Sequence, residues 1–144
     1  SNPIAKENIY QTAMSFGIDK SRIIFSNKLP LKQHLSRQAC ANLALDTFNF
    51  SSGTMTSLAL KNGLPTLTMP GKTFRSRLSS SILHSIGLNQ LICEDEQQYK
   101  EKAINLSIEQ SNTLKEKIFL LQKTSPYFNS QIYCDDFENL LKKL

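Results

Sequence analysis

Along this chain, short apolar runs alternate with stretches of helical spacing. Ile4, Ile9, Ala13 and Phe16 recur near helical spacing, which predicts an amphipathic helix stopped by Gly17. Arg22-Ile23-Ile24-Phe25 is β-branched and aromatic, and predicts a buried strand. Residues 32–40, after Pro30, return to helical spacing, and Leu43-Ala44-Leu45 predicts a second strand. Residues 46–52 read as a loop and 54–62 as a helix closed by Gly63. Pro65-Thr66-Leu67-Thr68-Met69 reads as a third strand ended by Pro70-Gly71. A longer helix is expected over 73–86, ending at Gly87, before a fourth strand, Gln90-Leu91-Ile92-Cys93. From 96 to 122 the period is helical throughout, with Tyr99, Ala103, Leu106, Leu114, Ile118 and Leu121 as the inner stripe. Thr124-Ser125-Pro126 breaks it, and 132–144 predicts a final helix.

Short strands separated by helices are the pattern of a parallel sheet with crossover helices, so the expected fold is α/β and Rossmann-like. The length of 144 residues suits one domain. A doubly wound sheet normally opens on a strand, and this one opens on a helix. The expectation is therefore a partial C-terminal Rossmann-like domain over 4–144, with residues 1–3 set aside as a cloning remnant or linker and an N-terminal part missing.

Composition narrows the classes. Hydrophobic residues at 40% and charged residues at 20% exclude a disordered or collagen-like chain. No apolar run approaches the roughly 18–20 residues that span a bilayer, so no membrane partner is expected. Cys40, Cys93 and Cys134 form no C-x-x-C pair and no zinc spacing, which points to a reduced, cytoplasmic protein. With His34 and His84 as the two histidines, no metal site is expected.

The net charge is +5, but its placement says more. Residues 20–80 hold nine bases and one acid, Asp46, whereas 94–123 hold six acids and five bases. A basic segment beside a neutral one suggests an anionic ligand, or else a solvated basic face. The bases are dispersed singly with no aromatic-rich recognition strand, which argues against nucleic acid as the partner.

One stretch concentrates the chemistry. Leu43-Ala44-Leu45 leads through a loop into a helix by way of Ser51-Ser52-Gly53-Thr54-Met55-Thr56. The first amides of a helix lack internal partners and lie at the positive end of its dipole, so they can bind phosphate. Gly53 admits a ligand close to the backbone, and Ser52, Thr54 and Thr56 add hydroxyls. Ligands of open α/β sheets bind outside the carboxyl ends of the strands, where this loop falls. The plainer alternative is that Ser51 or Ser52 merely caps the helix. The stretch matches neither a P-loop nor G-x-G-x-x-G.

Lys32, His34 and Arg37 form a second cluster on one expected helix, with a solvated surface as the alternative. Arg75 and Arg77 follow a strand end. Asp46, the single carboxylate of the basic segment, is placed to orient the loop rather than to transfer protons. No Ser/His/Asp or Cys/His arrangement is legible. The pattern is that of a ligand-binding half-site.

Several segments occur in one order with matching gaps. They are Arg22-Ile23-Ile24-Phe25, His34-Leu35-Ser36-Arg37, Leu45-Asp46-Thr47-Phe48, Gly53-Thr54-Met55-Thr56-Ser57, Gly63-Leu64-Pro65-Thr66-Leu67-Thr68 and Gly71-Lys72-Thr73-Phe74-Arg75-Ser76-Arg77. Ile86-Gly87-Leu88-Asn89-Gln90-Leu91-Ile92 and Ser125-Pro126-Tyr127-Phe128 follow. Together they resemble the C-terminal catalytic lobe of the O-linked N-acetylglucosamine transferase and SPINDLY family. The resemblance implies the donor-binding lobe of a two-lobed GT-B glycosyltransferase, with TPR repeats and the other lobe upstream. It implies inverting transfer of N-acetylglucosamine from UDP-GlcNAc to Ser or Thr of a protein acceptor, with no metal or other cofactor. His34 and Arg37 would contact the nucleoside, the loop at Leu29 and Pro30 would offer backbone contacts to the base, and Thr54, Met55 and Thr56 would hold the diphosphate.

Met55 stands where the family commonly has a second Thr, Leu58 where it commonly has an acidic residue toward the ribose, and Gly53 where animal members have His. These departures keep two alternatives open: a GDP-fucose-dependent O-fucosyltransferase lobe, and a degenerate interaction module. The fragment alone is expected to be inactive, its catalytic base unknown.

Overall fold

The computed structural model describes residues 2–143 and divides the chain into two compact units, residues 1–34 and 35–144. In the first unit, α1 (Pro3–Ser15) begins where Asn2 accepts from the Ile4 amide at 3.0 Å and Pro3 supplies a first-turn residue that needs no partner. The helix thus takes in Pro3, with Asn2 as its cap. The expected strand Arg22-Ile23-Ile24-Phe25 is also corrected. Lys20–Arg22 is a tight 3-10 turn begun by Asp19, and the residues after it are extended but join no sheet among the described residues. Ile24 is 85% exposed, while the Phe25 ring meets Tyr10 edge-on at 5.2 Å. β propensity reports fitness for a pleated, half-buried surface, and here an aromatic contact with α1 satisfies it without a strand partner.

Helix α2 (Leu31–Ala39) contains the boundary between the units, after His34. The second unit then runs β1 (Ala44–Leu45), α3 (Gly53–Lys61), β2 (Thr66–Leu67), α4 (Leu78–Ser85), α5 (Glu96–Asn105), α6 (Ile108–Thr124) and α7 (Ser130–Leu141). The expected final helix extended to Leu144, which lies outside the described residues. β1 and β2 pair in parallel, Ala44 with Thr66 and Leu45 with Leu67. Thr68 bridges in parallel to Ile92, giving three neighbouring chain segments joined by crossovers. The fourth expected strand is reduced to that bridge, because Asn89–Leu91 is a 3-10 turn.

Two expected helices are broken by local capping. Thr73 and Ser76 form a reciprocal capping box, so Phe74–Arg77 winds as a 3-10 turn before α4 begins. Ser107 and Gln110 form another, which starts α6 afresh after the extended Leu106 and divides the expected helix 96–122. α3 and α4 close alike: Gly63 and Gly87 take φ of 73° and 74°, a left-handed turn that a Cβ would strain. The core of this unit is Leu60, Leu67, Leu83, Ile86, Leu88, Leu91, Cys93, Tyr99 and Ile118. It holds the sheet against α3, α4, α5 and α6 and leaves the carboxyl ends of the strands for the loops.

Candidate phosphate-binding site at the carboxyl ends of the strands

Asp46 follows β1 directly and is 5% exposed. Its Oδ2 accepts from the Ser51 hydroxyl at 2.6 Å and the Thr68 hydroxyl at 2.7 Å, and its Oδ1 accepts from the Ser52 amide at 2.8 Å. Burial pushes the carboxyl pKa up, but the bonds from Ser51, Thr68, the Ser52 amide and Ser79 outweigh it and leave the group below the usual carboxylate value. Asp46 is therefore an ionised anchor inside the loop.

The network extends through neighbouring elements. The Ser79 amide donates to Ser51 Oγ at 2.9 Å, and the hydroxyls of Ser79 and Thr56 share a bond of 2.7 Å. Tyr99 donates its hydroxyl to the Asp46 carbonyl at 2.9 Å, and its ring meets Phe48 of the loop at 5.1 Å. Burial and the charges of Asp46 and Cys93 push the Tyr99 pKa up to about 12. The loop after β2 joins the same cluster, since the Ser51 amide donates to the Arg75 carbonyl at 2.9 Å. Gly71 is required there: a Cβ would lie 2.6 Å from Ser76 Oγ.

This packing presents the N-terminus of α3. Ser52 occupies the N-cap position, but its side chain makes no capping bond. The Gly53 amide donates to Ser51 O at 3.1 Å and Thr56 to Ser52 O at 2.8 Å, while the Thr54 and Met55 amides meet no acceptor among the described residues. Thr54 and Met55 are exposed, Gly53 is half-buried, and Thr56 is buried beneath them. Two outward amides at a helix N-terminus, at the carboxyl ends of parallel strands, can receive an anionic oxygen. Pro70, Phe74, Arg77, Ser80, His84 and Ile92 line a cavity of about 540 Å³ along α4.

The other expected residues are distributed as follows. Leu29, Pro30, Lys32 and His34 belong to the first unit, and Arg37, on the same helix as Lys32 and His34, to the second. Sequence reasoning did not single out Thr68 and Ser79. Their available signals were a polar residue inside an apolar strand and a run of serines at a helix start.

Fold and site define a Rossmann-like α/β layer with a helix N-terminus at the carboxyl ends of its strands. The sequence profile described as Glycosyl transferase family 41 matches residues 3–137. The chain belongs to that family. It is 30% identical to a UDP-N-acetylglucosamine--peptide N-acetylglucosaminyltransferase of Caenorhabditis elegans, over 96% of this chain and 12% of that protein. It is 24% identical to a probable UDP-N-acetylglucosamine--peptide N-acetylglucosaminyltransferase SPINDLY of Solanum lycopersicum, over 99% of this chain and 16% of that one. The chain thus spans less than a fifth of these relatives. A mutant O-GlcNAc transferase of Thermobaculum terrenum superposes with a TM-score of 0.86 at 20% identity, over 99% of this chain and 28% of that one. The fold is accordingly that of part of a GT-B glycosyltransferase.

Proposed function

We propose that this chain is the donor-binding part of an inverting protein O-glycosyltransferase that moves N-acetylglucosamine from UDP-GlcNAc to Ser or Thr hydroxyls. The observation that carries the reading is the unfilled pair of amides at the exposed residues Thr54 and Met55, in the first turn of α3. Family membership supports it, and so do the substrates in the relatives' names. As the bond to the sugar breaks, negative charge grows on the diphosphate, and fixed amides at the positive end of α3 stabilise it without reorganising. By family membership we assign Thr54, Met55 and Thr56 to the diphosphate, His34 and Arg37 to the nucleoside and the backbone at Leu29 and Pro30 to its base, with Lys32 and Gly53 among the residues that bind the nucleotide sugar. The second lobe, TPR repeats and acceptor-facing groups belong to the rest of the protein. The unpaired cysteines fit the cytoplasm.

The test is a calorimetric titration of the full-length protein with UDP, UDP-GlcNAc, GDP and GDP-fucose. UDP and UDP-GlcNAc are expected to saturate, with Arg37→Ala weakening UDP about tenfold, the loss of roughly one charge-assisted contact. Thr54→Val is expected to weaken it several-fold. Saturation by the guanosine compounds instead would change the donor to GDP-fucose. Flat titrations with all four would leave an interaction module.

A further inference from the structure

We infer that Asp46 is the positioning residue of the donor site: its carboxylate, seated beneath the loop, aligns the free amides of Thr54 and Met55 without touching the donor. The inference rests on the donor-binding reading above.

The three hydrogen bonds to the carboxylate come from different places. Thr68 lies just beyond β2, Ser51 lies in the loop, and the Ser52 amide is the last before α3. A side-chain cap on Ser52 would fold over the first amides of α3 and occupy them, and that bond is absent. Asp46 instead grips the backbone one residue before the helix. This fixes the direction in which the next amides point and leaves Thr54 and Met55 open.

Ser51 makes the grip two-sided. Its hydroxyl has one proton, given to Asp46, and it accepts from the Ser79 amide in the first turn of α4. Ser79 then shares a hydroxyl bond with Thr56, in the first turn of α3. The starts of both helices are thus referenced to one carboxylate, and Tyr99 pins the Asp46 carbonyl from the core side. Asp46, Ser51, Thr56, Thr68 and Ser79 are all buried and all paired. A fully satisfied buried network is stiff, since each member that moves leaves another without a partner. Two of the three bonds to the carboxylate go to the loop that enters α3, where a plug for the sheet alone would need the Thr68 bond only.

The experiment uses the full-length protein and compares UDP with uridine, which lacks the phosphates. For Asp46→Asn and Ser51→Ala, UDP affinity is expected to fall about tenfold while uridine affinity stays within about twofold of wild type. Ser107→Ala, in the α6 cap, is the control for stability lost outside this network and is expected to keep both affinities. If Asp46→Asn fails to fold, Ser51→Ala, which removes a single donor, carries the test alone. Unchanged UDP binding in a folded Asp46→Asn or Ser51→Ala protein overturns the inference, as does a parallel loss of UDP and uridine binding. A wild-type protein that binds neither UDP nor GDP overturns the donor-binding reading itself. If GDP is the ligand, the comparison is GDP with guanosine.

Discussion

Thr66 and Thr68 sit two positions apart, so both point to one face of the layer, yet their hydroxyls fare differently. Thr68 gives its proton to Asp46, while Thr66 Oγ1 is the single buried side-chain polar atom without a partner among the described residues. A buried hydroxyl that has lost water and gained no bond costs about 1 kcal/mol or more. Thr66→Val keeps the shape and removes that cost. We expect it to raise stability by about 0.5–1 kcal/mol, read as a higher urea midpoint at unchanged slope. A lowered midpoint would show that the hydroxyl is bonded in solution. Asp46 is the opposite case, a charge whose burial is offset by three donors. Its isolation in a basic segment was legible from sequence, but the identity of its donors was not, since they come from residues up to 22 positions away.

Helix boundaries were decided by short capping signals as much as by periodicity. The apolar stripe over 96–122 continues through the break, because Tyr99, Ala103, Leu114, Ile118 and Leu121 all belong to or pack on the core. Ser107 nevertheless ends one helix and begins another, its hydroxyl accepting from the Gln110 amide at 3.1 Å while its own amide donates to Gln110 Oε1 at 2.9 Å. Ser-x-x-Gln before an apolar run is a start signal that the sequence carries, though the unbroken apolar stripe by itself predicts one helix. Ser107→Ala removes the cap and is expected to cost about 1 kcal/mol, seen as a lowered melting temperature. No loss would mean that packing alone sets the start of α6. The strands are the converse. Their apolar runs are longer than the two residues that ladder, because side-chain pattern reports burial and not which backbone amides find partners.

The whole second unit has a pH dependence with two limbs. Tyr99 is held neutral by burial, by the Asp46 charge and by Cys93, with a pKa of about 12 against an ordinary 10. A raised pKa means that this contribution is complete below about pH 10, and is lost as pH rises through about 12. The loss amounts to about 3 kcal/mol by linkage. Urea midpoints between pH 8 and 12 should fall steeply for the wild type and less steeply for Tyr99→Phe, which keeps only the titration of the buried Cys93 thiol, itself pushed up by burial. An identical fall in both would place the alkaline limb elsewhere. Asp46 runs the other way: its lowered pKa contributes stability above the unfolded value near 3.8, and that is lost as pH falls through the lower folded value.

Local and periodic properties were available from the chain alone. They include the glycine stops, the α/β alternation, the loop that enters α3 through small polar residues, and the family to which those segments belong. Each depends on neighbours within a few positions or on ordered motifs, and such information survives in a linear string. Pairing partners were decided in three dimensions. Phe25 spends its aromatic surface on Tyr10 instead of a strand. Ser51, Thr68 and the Ser52 amide converge on one carboxylate only after the two strands lie side by side. A hydroxyl or an amide carries no mark of its partner, and it bonds to whatever the packed core brings within about 3 Å.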